Sequence, residues 1–160
     1  MVRWDLSRTS RVRFSDMAYT LQALLSASVN CSPDEGLQVV RLHCGLQMLP
    51  LGTEFRRNQN IPFLPLLDDD REELPATILS LCKRLGKQHQ IAYVEAEFFG
   101  GTGIQAHALF SGGNLIRQPM VSDCAINEAL RWLGVNRVDP EDEFTTVGLD
   151  LHRDTDAWLR

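Results

Sequence analysis

Apolar residues recur at helical spacing in three stretches of this chain and alternate with polar ones in one long central stretch. After Ser15 and Asp16, both good N-cap residues, Met17, Ala18, Leu21, Leu24 and Leu25 fall on one stripe and predict a helix over about 15–28. Leu74, Ile78, Leu81, Cys82 and Leu85 form a second stripe. Pro75 suits its first turn and Gly86-Lys87 its end, which predicts a helix over about 74–86. Ile126, Ala129, Leu130 and Leu133 form a third, with Asp123 placed to cap it and Gly134 to end it, a helix over about 123–134.

Strand signals lie between these stripes. "SPDEG" (32–36) favours a turn, and "LQVVRLHCGLQMLPLG" (37–52) reads as strand, with Gly45 marking a bulge or a break between two short strands. "TEFRRNQNIPFLPLLDDD" has no clean period and predicts an irregular connection. The central stretch, "IAYVEAEFFGGTGIQAHALF", holds two strand-like runs, about 91–99 and 104–110, separated by glycines. "SGGN" (111–114) permits a tight turn into a further run, "LIRQPM". Hairpin-linked strands with helices between groups define an α+β fold, an antiparallel sheet covered by helices on one face. The tail, "DEFTTVGLDLHRDTDAWLR", permits a last helical turn near "DTDAWL". The length of 160 residues suits a single domain, here an N-terminal helical segment (1–35) and an α+β core (37–159).

The glycines do not match a phosphate loop. "GGTGIQAHALF" has neither the spacing of a dinucleotide-binding turn nor the lysine of a P-loop, and the residues after the last glycine alternate like a strand. The glycines serve chain reversal, supplying the positive-φ positions of a short loop. A three- or five-residue loop aligns the two apolar faces, Ala92, Val94, Ala96 and Phe98 with Ile104, Ala106, Ala108 and Phe110. An even loop would bury a glutamate, which is costly. The opposite face then carries Tyr93, Glu95, Glu97, Phe99, Gln105 and His107. That face has three readings: the solvent side of a half-covered sheet, a polar-aromatic docking surface, or an acid/base or metal site built on Glu95, Glu97 and His107.

Composition narrows the classes. With 44% apolar and 23% charged residues the chain is an ordinary globular one, and no apolar run approaches the roughly 20 residues of a membrane span. No signal-type segment follows the basic N-terminus, so the expected location is the cytoplasm and no membrane partner is expected. Cys31, Cys44, Cys82 and Cys124 show no close pairing; free thiols are expected, and no metal or other cofactor. His43 precedes Cys44, but neighbours on a strand point to opposite faces, which argues against a nucleophile-base pair. The net charge is −5, with acid concentrated in "DDDREE" (68–73) and "DPEDE" (139–143). This balance argues against nucleic acid as a partner and suits a basic protein.

"AYVEAEFFGGTGIQAHALF", "AINEALRWLGV" and "DEFTTVGLDLHRDTDAWL", together with "LQMLPLG", resemble a group of small bacterial proteins with a YVEAE(F/Y)FGG hairpin, over roughly residues 37–159. In size and acidity that group is similar to toxin-immunity proteins. The resemblance implies a binding protein that neutralises a cognate protein toxin by stoichiometric contact. The contact residues it points to are Tyr93, Glu95, Glu97, Phe99, Gln105 and His107, and second the acidic run Asp68, Asp69, Asp70, Glu72 and Glu73. The tail residues Asp142, Glu143, His152, Arg153, Asp154 and Trp158 form a third contact region or a brace for the fold. A small enzyme and a self-associating scaffold are the rival classes; no catalytic residue is assigned.

Overall fold

A computed structural model describes residues 18–27, 36–69, 72–99 and 102–160. Its centre is an antiparallel sheet of seven strands: β1 (Tyr19–Ser26), β2 (Val40–Arg41), β3 (Gln47–Pro50), β4 (Gln90–Phe99), β5 (Thr102–Ser111), β6 (Asn114–Leu115) and β7 (Met120–Ser122). The strands run in the order β2-β3-β1-β4-β5-β6, with β7 also pairing with β5. The helices are α1 (Thr53–Gln59), α2 (Ala76–Leu85), α3 (Ala125–Trp132) and α4 (Glu143–Thr146). The fold is α+β. None of the described helices is long and apolar enough to cross a membrane.

The stretch expected to open the chain as a helix is instead a central strand. Tyr19–Ser26 pairs with β3 on one side and β4 on the other. Helices cover both faces of the sheet, not one, so nearly every residue of β1 is buried. A strand apolar on both faces loses its alternation and reads like a buried helix. Residues 15–17 and 28 of the expected helix lie outside the described residues.

Each face carries its own core. On the first, Leu21, Ala23, Leu25, Ala92, Val94 and Leu109 pack against Ile126, Leu130 and Phe144 of α3 and α4 and against Trp158. On the second, Leu24, Leu49, Tyr93, Ala108 and Phe110 pack against Ile78, Leu81 and Cys82 of α2 and against Ile61 and Leu66 of the preceding segment. The expected helices at 74–86 and 123–134 are α2 and α3, each slightly shorter. Pro75 precedes α2. Gly134, at φ 96°, ends α3: its own N–H reaches the Arg131 carbonyl, while the Val135 N–H reaches that of Leu130. Asp123 is the side chain expected to cap α3, but the cap comes from the sheet: the Ile126 N–H donates to Gln105 Oε1 at 2.8 Å.

Two local features differ from expectation. Gly45 does break the 37–52 run into two strands, through a 3-10 turn (His43–Gly45) in which Cys44 takes φ 63°, so the strand argument about His43 and Cys44 does not apply. Residues 53–59, expected to be irregular, form α1, whose first turn is held by Asp156. That carboxylate accepts from the Thr53 N–H at 2.8 Å and from its hydroxyl at 2.6 Å. "SGGN" turns as expected, Gly112 and Gly113 both at positive φ in the two-residue turn from β5 to β6.

Candidate functional site

The hairpin register decides which side chains share a face. Phe99 pairs with Thr102, Phe98 with Gly103, Glu97 with Ile104, Glu95 with Ala106 and Val94 with His107. Only residues 100 and 101 lie between the strands, so the loop is even, and the expected odd register is corrected. The consequence is the one parity requires: a glutamate is buried. Tyr93, Glu95 and Glu97 lie on the face toward α2, whereas Gln105 and His107 lie on the face toward α3. The six residues expected to form one open face are split across the sheet. Four of them, Tyr93, Glu95, Gln105 and His107, are buried.

Gly103 has a different role from the one expected. It is not at positive φ; it lies flat beneath the ring of its cross-strand partner, and a Cβ there would fall 1.4 Å from Phe98 Cδ1. Phe98 in turn stacks at 5.4 Å on Tyr19, whose hydroxyl donates to the Leu149 carbonyl at 2.8 Å.

Glu95 survives burial because donors surround it. Its carboxylate accepts from the Leu66 N–H at 3.1 and 3.2 Å, from the Leu67 N–H at 3.0 Å and from the Tyr93 hydroxyl at 2.5 Å. Gln22, on β1, completes the network. Its amide donates to the Tyr93 oxygen at 2.9 Å and to the Pro62 carbonyl at 3.1 Å, and accepts from the Leu64 N–H at 3.2 Å. The segment 61–68 is thereby tied to the sheet, with Leu64 held at φ 43°, a conformation unfavourable for a bulky side chain. Burial pushes the Glu95 carboxyl up to about 7, against the pull of the Tyr93 hydroxyl and the two amides; Asp68 adds to the rise.

On the other face the buried His107 ring places Nε2 3.2 Å from Glu128 Oε2, while Nδ1 has no hydrogen-bond partner. The arrangement fits a neutral ring that donates through Nε2, because a bare acceptor is cheaper to bury than a bare N–H. Burial lowers the histidine pKa, and Glu128 opposes that shift. Since Glu95 and His107 lie on opposite faces, they cannot act together as an acid/base pair. Among the described residues, no three of the His, Cys, Asp and Glu side chains are grouped so as to hold a metal ion.

The two regions expected to contact a partner do meet, through different residues. The carboxyls of Glu97 and Asp68 come within hydrogen-bonding reach, and burial followed by Asp68 raises Glu97. Beside them the sheet leaves apolar side chains uncovered: Phe99 is 57% exposed, Ile104 43% and Val121 43%. Ile104 is the direct cross-strand neighbour of Glu97, and Val121 sits on β7 opposite Ala106, on the same face. Asp68, Asp69, Glu72 and Glu73 are exposed along the way into α2. Asp70 lies outside the described residues. Sequence reasoning misses Ile104 and Val121, because an odd loop puts Ile104 inside.

The tail is a brace. Asp142 accepts from the Thr145 N–H and caps α4; Glu143 is buried 3.4 Å from Arg131; and Asp154 caps the last 3-10 turn (Thr155–Leu159). Trp158 packs in the first core, with the His152 ring at 4.5 Å, and the Arg153 carbonyl accepts from the N–H of Thr20 on β1. A cleft of about 850 Å³ lies between residues 36–38, α1 and this turn. The Asp156 carboxylate on its wall is occupied in holding α1. Cys44, Cys82 and Cys124 are free thiols, Cys82 fully buried; Cys31 lies outside the described residues.

Compared with known protein families, with curated proteins and with solved structures, the chain matches none.

Proposed function

We propose that the protein is a stoichiometric binding module of the toxin-immunity kind, which docks a basic protein toxin and covers its working surface. The observation that carries this reading is the exposed apolar strip Phe99, Ile104 and Val121 lying against the acidic pair Glu97 and Asp68. An apolar centre with a charged margin is the anatomy of a specific protein interface. The margin is acidic, the chain carries a net charge of −5, and both favour a basic partner through steering and complementarity. Contact residues are Glu97, Phe99, Ile104, Val121, Asp68 and Asp69, with Glu72 and Glu73 at the margin; no chemistry is required of them.

The test is co-expression with the product of the adjacent gene, followed by purification and titration of the pair. A 1:1 complex is expected, together with rescue of growth when that product is toxic. Phe99→Ala and Glu97→Lys should each weaken binding at least tenfold, about 1.4 kcal/mol or more. Unchanged affinity in both variants removes this surface. Concentration-dependent dimerisation of the protein alone, abolished by Phe99→Ala, would instead identify a self-associating scaffold.

A further inference from the structure

We propose that the arginine-rich segment 1–17 seats in cis on the strip formed by Phe99, Ile104 and Val121, as an internal competitor that a partner protein must displace. The chain enters the sheet beside that strip. Tyr19 opens β1 opposite Phe98, and Thr20 pairs with Glu97, so Thr20 lies on the face that carries the strip. One step back along the same register, the exposed Ala18 comes alongside Phe99 on that face. The residues before it, outside the described part of the chain, are tethered at the end of the strip.

The segment's composition matches the strip and its margin. Residues 1–17 hold four arginines (Arg3, Arg8, Arg11 and Arg13) against two aspartates, in a chain whose net charge is −5. Residues 11–14, "RVRF", alternate cation and apolar. An extended backbone turns Val12 and Phe14 to one side, and the arginine stems run along apolar surface to reach the margin. There Glu97 and Asp68 hold their carboxyls within hydrogen-bonding reach of each other. Two acids so close repel when ionised, and an arginine fork laid against both relieves the repulsion. Length suffices as well. From β1 across β4 and β5 to β7 is three strand spacings, about 14 Å. Phe14 lies about 13 Å of extended chain before Ala18 and Val12 about 20 Å, enough for Phe14 to meet Ile104 and Val12 to meet Val121. A tether this short sets an effective concentration of about a millimolar. A contact with a Kd of about 0.1 mM then fills the strip about nine-tenths of the time, and a partner binds about tenfold more weakly.

The effect on a partner rests on the docking proposal; the seating of the segment does not, and methyl NMR on the full chain tests it with no partner present. The Phe14 ring and the Val12 methyls should show NOEs to the methyls of Ile104 and Val121. In the triple variant Arg8→Glu, Arg11→Glu, Arg13→Glu these NOEs should disappear and the Ile104 and Val121 methyl resonances should shift. Those of Ile126, sealed in the first core, should stay in place. Absence of the NOEs in the natural protein, or their persistence in the triple variant, overturns the proposal. NOEs that arise only between labelled and unlabelled chains in a mixed sample overturn it too, and give the strip to the segment of a second copy. If the triple variant does not fold, salt decides on the natural protein. NOEs that weaken as salt rises to about 500 mM uphold the arginine pairing, and NOEs indifferent to salt refute it. A seated segment in a protein that binds no basic partner would leave this inference standing and remove the docking reading.

Discussion

Glu95 carries a charge-bearing group into a region closed to water, and three donors offset what that burial costs. Removing one donor isolates the balance. In Tyr93→Phe the carboxylate loses its shortest hydrogen bond and the Gln22 amide loses an acceptor. The expected loss is about 1–3 kcal/mol in urea unfolding. The loss should be larger at pH 8, where Glu95 is ionised, than at pH 5, where it is not; equal losses would mean the hydroxyl serves only Gln22. His107 has the opposite linkage. Its folded pKa lies below the ordinary value near 6.5, so the unfolded chain takes up the proton first. The stability it contributes is complete above about pH 6.5 and is lost as the pH falls below that value. Urea midpoints for His107→Gln should therefore lose the acid-side decline between pH 6.5 and 5. These residues also mark the limit of what can be read from the chain alone. Strand parity is legible there, and so is the rule that an even loop buries a glutamate. Nothing local shows that the amides of Leu66 and Leu67, 29 and 28 residues earlier, satisfy it.

Among the elements, α2 and α3 are legible because each packs one face and keeps its 3.6-residue stripe, bounded by Pro75 and by Gly134. β1 is not, because burial on both sides erases the alternation that identifies a strand. The hairpin itself is legible, but its register is not, since loop parity depends on Gly103 behaving as a strand residue. Propensity alone would have Ala or Val at 103 strengthen the strand. Here the opposite is expected: the Phe98 ring occupies the space a Cβ needs, and it is itself wedged against Tyr19. Gly103→Ala should lower stability by about 1–3 kcal/mol as overpacking forces the ring out. In the background of Phe98→Leu most of that penalty should disappear. A thermodynamic cycle with no coupling between the two positions would show that the ring relocates freely.

For the molecule as a whole, the two cores determine where a partner can bind. α3, α4 and the tail close one face of the sheet, and α2 with the segment 61–68 closes most of the other. The end of the second face stays uncovered, where Phe99, Ile104 and Val121 meet Glu97 and Asp68. Acidity is legible from composition, but its assembly beside an apolar strip depends on the fold bringing residue 68 to residue 97. If this surface docks a basic protein, its charges should act mainly on encounter and its apolar strip on residence. Raising salt from 50 to 500 mM shortens the screening length from about 14 to about 4 Å, and the association rate should fall by about tenfold or more. Glu97→Lys should depress the association rate in the same manner and weaken its salt dependence. Phe99→Ala should leave association nearly unchanged and speed dissociation, both read by stopped-flow mixing with the purified partner. Dissociation accelerated by Glu97→Lys with no change in association would mean that the carboxylate is sealed within the contact, and the margin of the interface would have to be redrawn beyond it.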